Sequence, residues 1–471
     1  MPLATDIGFA LAPLRAMLGA DAVYSEPEDI APYLRDERGA FQGSAGLMVR
    51  PASTGEVSQL LAYCSQNAIA VVPQGGNTGY CGGGTPFSGS QLLLKMDRLN
   101  RVRDVNRANY TMTVEAGVVL QQAQEVARSA GLDFPLSMGS QGSCQIGGVL
   151  STNAGGLNAV RYGVARDFVL GLEVVLPDGR LVSHARSLRK DNTGYRLADL
   201  FVGAEGTLGV ITAASLKLLP ELSGRATALL SYRGIPEACE GLLHFRGACD
   251  DNVVSYELIA SGSVALASAL VPAGLPAIGD SGVLVLVEVA AARDQRASAL
   301  LEEALVPAME NGSVVDGTVA GSLDQRAGLW RFREGIPEAE KHAGGSLKHD
   351  VSLPVDGIAT FIDEACEAVS KEAEARFSIF GHLGDGNLHF NVLAPVAIDG
   401  AGWREQHGDA ITAVILELAE HHGGSFSAEH GIGSLKVAEL ARYRPEEVAL
   451  MRVLKATLDP AGIMNPGKVL S

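Results

Sequence analysis

The chain has 471 residues, 47% apolar and 19% charged, which is enough hydrophobic side chain for more than one core and too much for a disordered chain. A formal net charge of −17 argues against DNA or RNA as a partner, since a phosphate backbone demands a basic face, and leaves any anionic substrate to a few local cations. Six cysteines without a CxxC pair read as reduced thiols of a cytoplasmic protein. The first eighteen residues do not read as a signal peptide, and the longest apolar stretch, 258–279, is broken by Ser, Gly and Pro, so no membrane span is expected.

Residues 47–73 predict strand, helix and strand. Leu47-Met48-Val49 is short and apolar, Ser53 or Thr54 caps a helix carrying Val57, Leu60 and Leu61, and 69–72 is a buried type of strand. A glycine-rich loop follows at once, Pro73-Gln74-Gly75-Gly76-Asn77-Thr78-Gly79, and then Gly82-Gly83-Gly84. Glycine lets a backbone approach a pyrophosphate closely and turn its N–H groups toward it. The spacing is neither GxGxxG nor that of a P-loop, and glycine content alone fits a surface turn equally well. Residues 111–114 and 172–176 predict strands, with Pro177-Asp178-Gly179 turning into Leu181-Val182.

A second loop, GSQGSCQIGGVLSTN at 139–153, runs into Ala154-Gly155-Gly156. A third, GAEGTLG at 203–209, precedes the strand-like Val210-Ile211. Pro220 and Gly224 mark a change of texture and a domain boundary. From 222 to 425 strands such as 283–289 alternate with alanine-rich helices over 358–374 and 409–422, the pattern of helices on an antiparallel sheet. Leu329–Glu334 begins a helix whose arginines have Glu334 and Glu338 as ordinary partners, and 347–354 is strand-like.

The segment 380–391, FGHLGDGNLHFN, is symmetric about Asp385-Gly386, a preferred hairpin turn that pairs His382 with His389. Their β-carbons are then about 5 Å apart on one face, which Asn391 shares by alternation. Two facing imidazoles begin a transition-metal site, although an ordinary polar hairpin has the same pattern. In Ser427-Ala428-Glu429-His430-Gly431-Ile432-Gly433, Glu429 is a candidate third ligand for a His2Glu set with open positions for substrate, although a Glu-His pair in a loop is more often incidental. The tail 454–471 reads as a short helix ended by Asp459-Pro460, then a Gly/Pro-rich segment. His421 and His422 read as partners of helix-terminal carbonyls; His184, His244, His342, His349 and His407 have no constellation.

Taken in order, PQGGNTG, GSCQIGG, TNAGG, RYG, KDNTGY and GAEGTLGVIT resemble the vanillyl-alcohol-oxidase-type flavoproteins, and within them the D-2-hydroxyglutarate and D-lactate dehydrogenase branch, over nearly the whole chain. The resemblance implies an α+β protein: a two-subdomain FAD-binding domain at 1–221, an α+β substrate (cap) domain with an antiparallel sheet and the metal hairpin at 222–425, and a segment 426–471 returning to the FAD domain. It implies FAD contacts at Pro73, Gly75, Gly76, Asn77, Thr78, Gly79, Pro135, Gly139, Ser143, Ile146, Gly147, Asn153, Gly156, Glu205, Gly209, Ile211 and Asn465. Many relatives attach the flavin through a histidine near these loops. Neither 73–86 nor 139–156 contains one, so non-covalent FAD is expected, with Cys81 and Cys144 as packed thiols.

The resemblance further implies a divalent metal, zinc before manganese, on His382, His389 and Glu429, with His430 as general base. Arg333 and Lys348 would bind the substrate carboxylate, with Asn391 beside them. The implied reaction is oxidation of a D-2-hydroxy acid to the 2-oxo acid by metal-assisted hydride transfer to flavin N5. D-2-hydroxyglutarate is the first expectation. D-lactate stays open, because Pro337 stands where close hydroxyglutarate enzymes often carry a hydroxyl. Electrons would pass to an electron-transfer flavoprotein or a quinone, and a homodimer is expected. The rival readings are a metal-dependent hydrolase, which leaves the glycine loops unexplained, and a flavin-binding subunit without chemistry.

Overall fold

A computed structural model describes residues 2–268 and 282–470, so part of the apolar stretch at 258–279 lies outside the described residues. The chain divides into two compact units, one formed by 1–155, 164–221 and 429–471, the other by 156–163 and 222–428. Residues 156–163, expected in the first domain, group with the second unit, and the return to the first begins at Glu429 rather than at 426. No helix among the described residues is long and apolar enough to cross a membrane.

The first unit holds two large sheets and a two-stranded one that pairs Leu132–Asp133 with Leu219–Pro220. In one, β1 (Ser44–Val49) and β2 (Ala70–Gln74) flank β3 (Phe87–Lys95) in parallel, with Val23–Tyr24 antiparallel on the outer edge of β1. Helix α1 (Thr54–Gln66) crosses from β1 to β2. The Ser53 hydroxyl accepts the Glu56 N–H at 3.2 Å while the Glu56 carboxylate accepts the Ala52 N–H at 2.8 Å, which closes the helix start from both sides. Val57, Leu60, Leu61 and Cys64 are its buried face, joining Leu92 and Leu94 of β3 in one core. The other sheet is antiparallel, made of β4 (Val102–Asn106), β5 (Thr111–Glu115), β6 (Val169–Val175), β7 (Leu181–Ser183) and β8 (Val210–Lys217) in the order β4-β5-β8-β6-β7.

The second unit is built on seven antiparallel strands: β9 (Gly224–Tyr232), β10 (Val253–Ile259), β11 (Val283–Ala291), β12 (Val314–Val319), β13 (Ser346–Ser352), β14 (Arg376–His382) and β15 (Asn387–Leu393). Their order is β12-β9-β11-β10-β14-β15-β13. Helix α2 (Leu323–Glu334) ends where the sequence suggested a beginning, because Ser322 caps it by accepting the Gln325 N–H at 3.2 Å. Its Leu329 and Phe332 join a core with Leu229, Leu284, Leu286 and Phe380 of the sheet. Helix α3 (Gly400–His421) starts nine residues before the expected 409, since Asp399 accepts the N–H groups of Ala401 and Gly402, both at 3.1 Å. Glycines 400, 402 and 408 hid that first stretch by interrupting the apolar periodicity. His422 Nε2 lies 2.8 Å from the Glu364 carboxylate, so its ring hydrogen-bonds that side chain and not the helix-end carbonyls expected of it.

Candidate active site

Within the first unit the three glycine loops line one cavity. Pro73, Gly75, Gly76, Asn77, Thr78 and Gly79 contribute from the first loop, Gly139 and Gly147 from the second, Glu205, Gly209 and Ile211 from the third, and Glu429 and His430 from the C-terminal part. Pro135, Ser143, Ile146, Asn153, Gly156 and Asn465 do not line it. Several of these shape its wall. A Cβ on Gly76 would fall 2.2 Å from the Ser143 carbonyl. The Asn465 amide donates to the Glu205 carbonyl at 2.7 Å and the Gly83 carbonyl at 3.0 Å. Gly156 belongs to the second unit.

No lysine or arginine appears among the lining residues, so an anion there would meet backbone N–H groups and neutral polar side chains away from Glu205 and Glu429. Cationic support behind the first loop comes from Lys95 on β3, whose ammonium donates to the Gln74 side chain at 3.0 Å and the Gly75 carbonyl at 2.6 Å. Burial pushes its pKa down to about 8. Asn77, Asn153, Glu205 and Asn465 all hold left-handed backbone conformations, with φ of 58, 51, 50 and 44°. For a non-glycine residue that costs about 1–2 kcal/mol, a strain tolerated where surroundings dictate the backbone. Sequence reasoning missed Tyr80, Gln145, Gly148 and Thr152, which also line the cavity. The Gln145 Oε1 is buried without a hydrogen-bond partner, and Gly79, Gly139 and Gly148 have nothing within 4 Å of an added Cβ. An orphan acceptor beside open glycine faces fits a large polar ligand such as a dinucleotide.

The turn carrying Glu429 and His430 is pinned within this unit. The Glu205 carboxylate accepts the N–H groups of Ile432 at 2.7 Å and Gly433 at 2.8 Å. Its burial raises the carboxyl pKa, and those two donors offset only part of the rise. The Cys81 thiol donates to the Gly431 carbonyl at 3.5 Å, and the Cys81 carbonyl accepts from Ser434 N–H at 2.8 Å. The His430 ring meets Tyr80 edge-on at 4.9 Å, and Arg38 stacks on the same tyrosine at 3.7 Å. Glu205, expected as a flavin contact, therefore also clamps the loop of the expected base.

In the second unit the hairpin register differs from expectation. His389 lies opposite Phe380, not His382, and Leu383–Asp385 forms a 3-10 turn that ends at left-handed Gly386. The neighbouring chain causes this: Leu353 N–H bonds the Gly386 carbonyl at 3.0 Å, and a Cβ on Gly386 would lie 2.1 Å from the Leu353 carbonyl. The slip is two residues, so side-chain parity survives and the two imidazoles still meet, with ring centroids 5.5 Å apart. Ala428 N–H bonds the Asp350 carbonyl on β13 at 3.3 Å, and the Asp350 carboxylate lies 4.0 Å from His389 Nδ1.

Two buried glutamates organise the remaining expected residues, and sequence reasoning missed both. On β10, Glu257 accepts from Arg333 Nε at 3.0 Å through Oε2 and from His382 Nδ1 at 2.8 Å through Oε1. Burial pushes its carboxyl pKa up, but the charges and hydrogen bonds of His382 and Arg333 outweigh this and hold it below its ordinary value. Glu340 accepts from Lys348 at 2.7 Å, Asn391 at 2.8 Å and Ser346 at 2.9 Å. Arg333 thus pairs with Glu257 rather than with Glu334 or Glu338. Helix α2 is itself fixed by Glu288 on β11, which accepts from Arg326 and Trp330, each at 2.9 Å. His349, without a role in the sequence, bonds the Phe390 carbonyl at 2.8 Å and Thr412 at 3.0 Å, a packing role.

Two protein families match the chain: FAD binding domain over residues 45–184, and FAD linked oxidases, C-terminal domain, over 222–469. The mitochondrial D-2-hydroxyglutarate dehydrogenase of Arabidopsis thaliana is 36% identical, covering 97% of this chain and 80% of its own. The D-2-hydroxyglutarate dehydrogenase of Xanthomonas citri pv. viticola is also 36% identical, with 94% and 93% covered. Among solved structures, p-cresol methylhydroxylase superposes with a TM-score of 0.74 at 17% identity, covering 98% of this chain and 96% of that one, a likeness of fold.

Proposed function

Since the chain belongs to the FAD-linked oxidase family and is an FAD-dependent oxidoreductase, we infer that it oxidises D-2-hydroxyglutarate to the 2-oxo acid. The observation that carries this reading is the cavity in which three glycine loops and the Glu429-His430 turn meet. The names of the relatives favour hydroxyglutarate over D-lactate, although Pro337 at the start of its helix offers no side-chain donor to a distal carboxylate. A hydrolase has no use for the glycine-lined cavity.

Bound FAD supplies the hydride acceptor. It is held non-covalently: Cys81 and Cys144 are buried, the Cys144 thiol is pushed up in pKa by burial, and it contacts the Met138 sulfur at 3.7 Å. His382, His389 and Glu429 would hold a divalent ion, zinc before manganese, and the chemistry that ion supplies is Lewis acidity toward the hydroxyl. The donor set fits, because Glu257 accepts from His382 Nδ1, which leaves the Nε2 lone pair for a metal.

His430 takes the hydroxyl proton; its turn is held by Glu205, so the imidazole keeps one position through the transfer. Arg333 spends its Nε edge on Glu257, and its Nη1 side would face the substrate carboxylate, with Lys348 and Asn391 as further donors. Electrons would leave to an electron-transfer flavoprotein or a quinone. Placement in the cytoplasm and assembly as a homodimer are part of the same reading; six free thiols support the first, while several relatives are named mitochondrial. An anaerobic panel of D- and L-2-hydroxy acids tests the reading. D-2-hydroxyglutarate should bleach the flavin fastest, and a protein whose flavin no D-2-hydroxy acid bleaches would refute it.

A further inference from the structure

We propose that Glu257 is a positioning residue that couples metal binding to substrate binding, holding His382 with one carboxylate oxygen and Arg333 with the other. The proposal rests on the functional reading above and deepens it. An ionised carboxylate only accepts hydrogen bonds, so the 2.8 Å contact requires the proton of His382 to sit on Nδ1. That fixes the tautomer and puts the lone pair on Nε2, the ring atom that would bind a metal. The other oxygen, Oε2, takes both Nε at 3.0 Å and Nη2 at 2.9 Å of Arg333.

Phe380 packs against the guanidinium, with its ring centroid 4.7 Å away, so the plane of Arg333 is set by the carboxylate on one edge and an aromatic face on the other. The three elements involved, β10, β14 and α2, are far apart in sequence, and Glu257 is where they are tied. It pairs directly across from His382 in the β10–β14 register, so sheet formation itself delivers the carboxylate to the imidazole. Glu257 is fully buried, so its work passes through its two neighbours.

The experiment compares the FAD-loaded wild type with Glu257→Gln and Glu257→Asp. Zinc affinity is read by competition with a chromophoric chelator, and binding of 2-oxoglutarate by perturbation of the flavin spectrum. A glutamine turns its amide N–H toward one of two donors, so one side of the tie is lost. Glu257→Gln should retain a native flavin spectrum, bind zinc about 10–100-fold more weakly, and raise KM for the hydroxy acid in parallel. Glu257→Asp, which keeps the charge, should lose less of both and stands in if the glutamine variant does not fold. Zinc affinity and KM both unchanged in a folded variant would overturn the coupling, as would a KM effect with intact zinc binding. A wild-type protein that takes up no zinc would instead overturn the metal reading beneath it.

Discussion

Gly433→Ala tests whether the turn carrying the proposed base is positioned by its backbone. Gly433 has φ +55° and receives one lobe of the Glu205 clamp through its N–H. An alanine there costs about 1–2 kcal/mol from the left-handed backbone alone. Its Cβ would also fall 2.0 Å from the Cys81 carbonyl oxygen, where C···O contacts ordinarily need about 3.3 Å. Neither side of that contact is a flexible side chain, so the turn must move by about 1 Å relative to the 81–85 loop. A misplacement of that size costs roughly 10²-fold when it reaches the reacting groups. We expect single-turnover flavin reduction to slow about 100-fold while the flavin spectrum persists. Gly423→Ala is the control. It carries the same strain, at φ +71°, with nothing within 4 Å of the new methyl, and should lower thermal stability without slowing reduction. Wild-type reduction in Gly433→Ala would refute the claim that this turn holds the base.

His430→Asn should keep bound flavin yet slow its reduction by D-2-hydroxyglutarate about 10²–10⁴-fold, the usual worth of a general base; near-normal reduction would remove it from the mechanism. Gly76→Ala places a methyl 2.2 Å from the Ser143 carbonyl, so the protein should purify with little FAD, read from its absorbance ratio. Strong chelation should stop turnover without releasing FAD, and indifference to it would exclude a catalytic metal. Lys95 offers a pH test. Its folded pKa of about 8 lies below the unfolded value near 10.5, so the unfolded chain binds more protons between those limits and stability rises with pH there. Below about pH 8 the burial cost is fully present. In urea unfolding of the flavin-free protein, wild type should gain up to about 3 kcal/mol on Lys95→Met between pH 8 and 10.5, and a flat difference would refute the assignment.

The glycine loops and the Glu429-His430 turn were legible because each is a short contiguous segment whose residue types have few other uses. The hairpin was legible in its face but not in its register. Asp385-Gly386 carries a strong local turn signal, whereas the bond to Gly386 comes from Leu353, just past β13 and more than thirty residues earlier. Glu257 and Glu340 were invisible for the same reason. Nothing in Tyr256-Glu257-Leu258 distinguishes that glutamate from a solvated one until β10 pairs with β14. Gly156 illustrates the reverse error, since a motif read as continuous is divided between two units.

The buried glutamates also change what the cations mean. Arg333 and Lys348, read alone, promise two positive charges for an anion, but each arrives already matched by a carboxylate that is fully buried. Unpairing either carboxylate would leave a charge in low dielectric, at a cost of several kcal/mol, so neither releases its cation to meet a substrate. The guanidinium and ammonium then act through the donors their partners leave over, fixing orientation more than supplying net charge. In a chain of net charge −17, the attraction for a 2-hydroxy acid anion then rests on local charge more than on the global field. A divalent ion on the proposed His2Glu set would add such a charge.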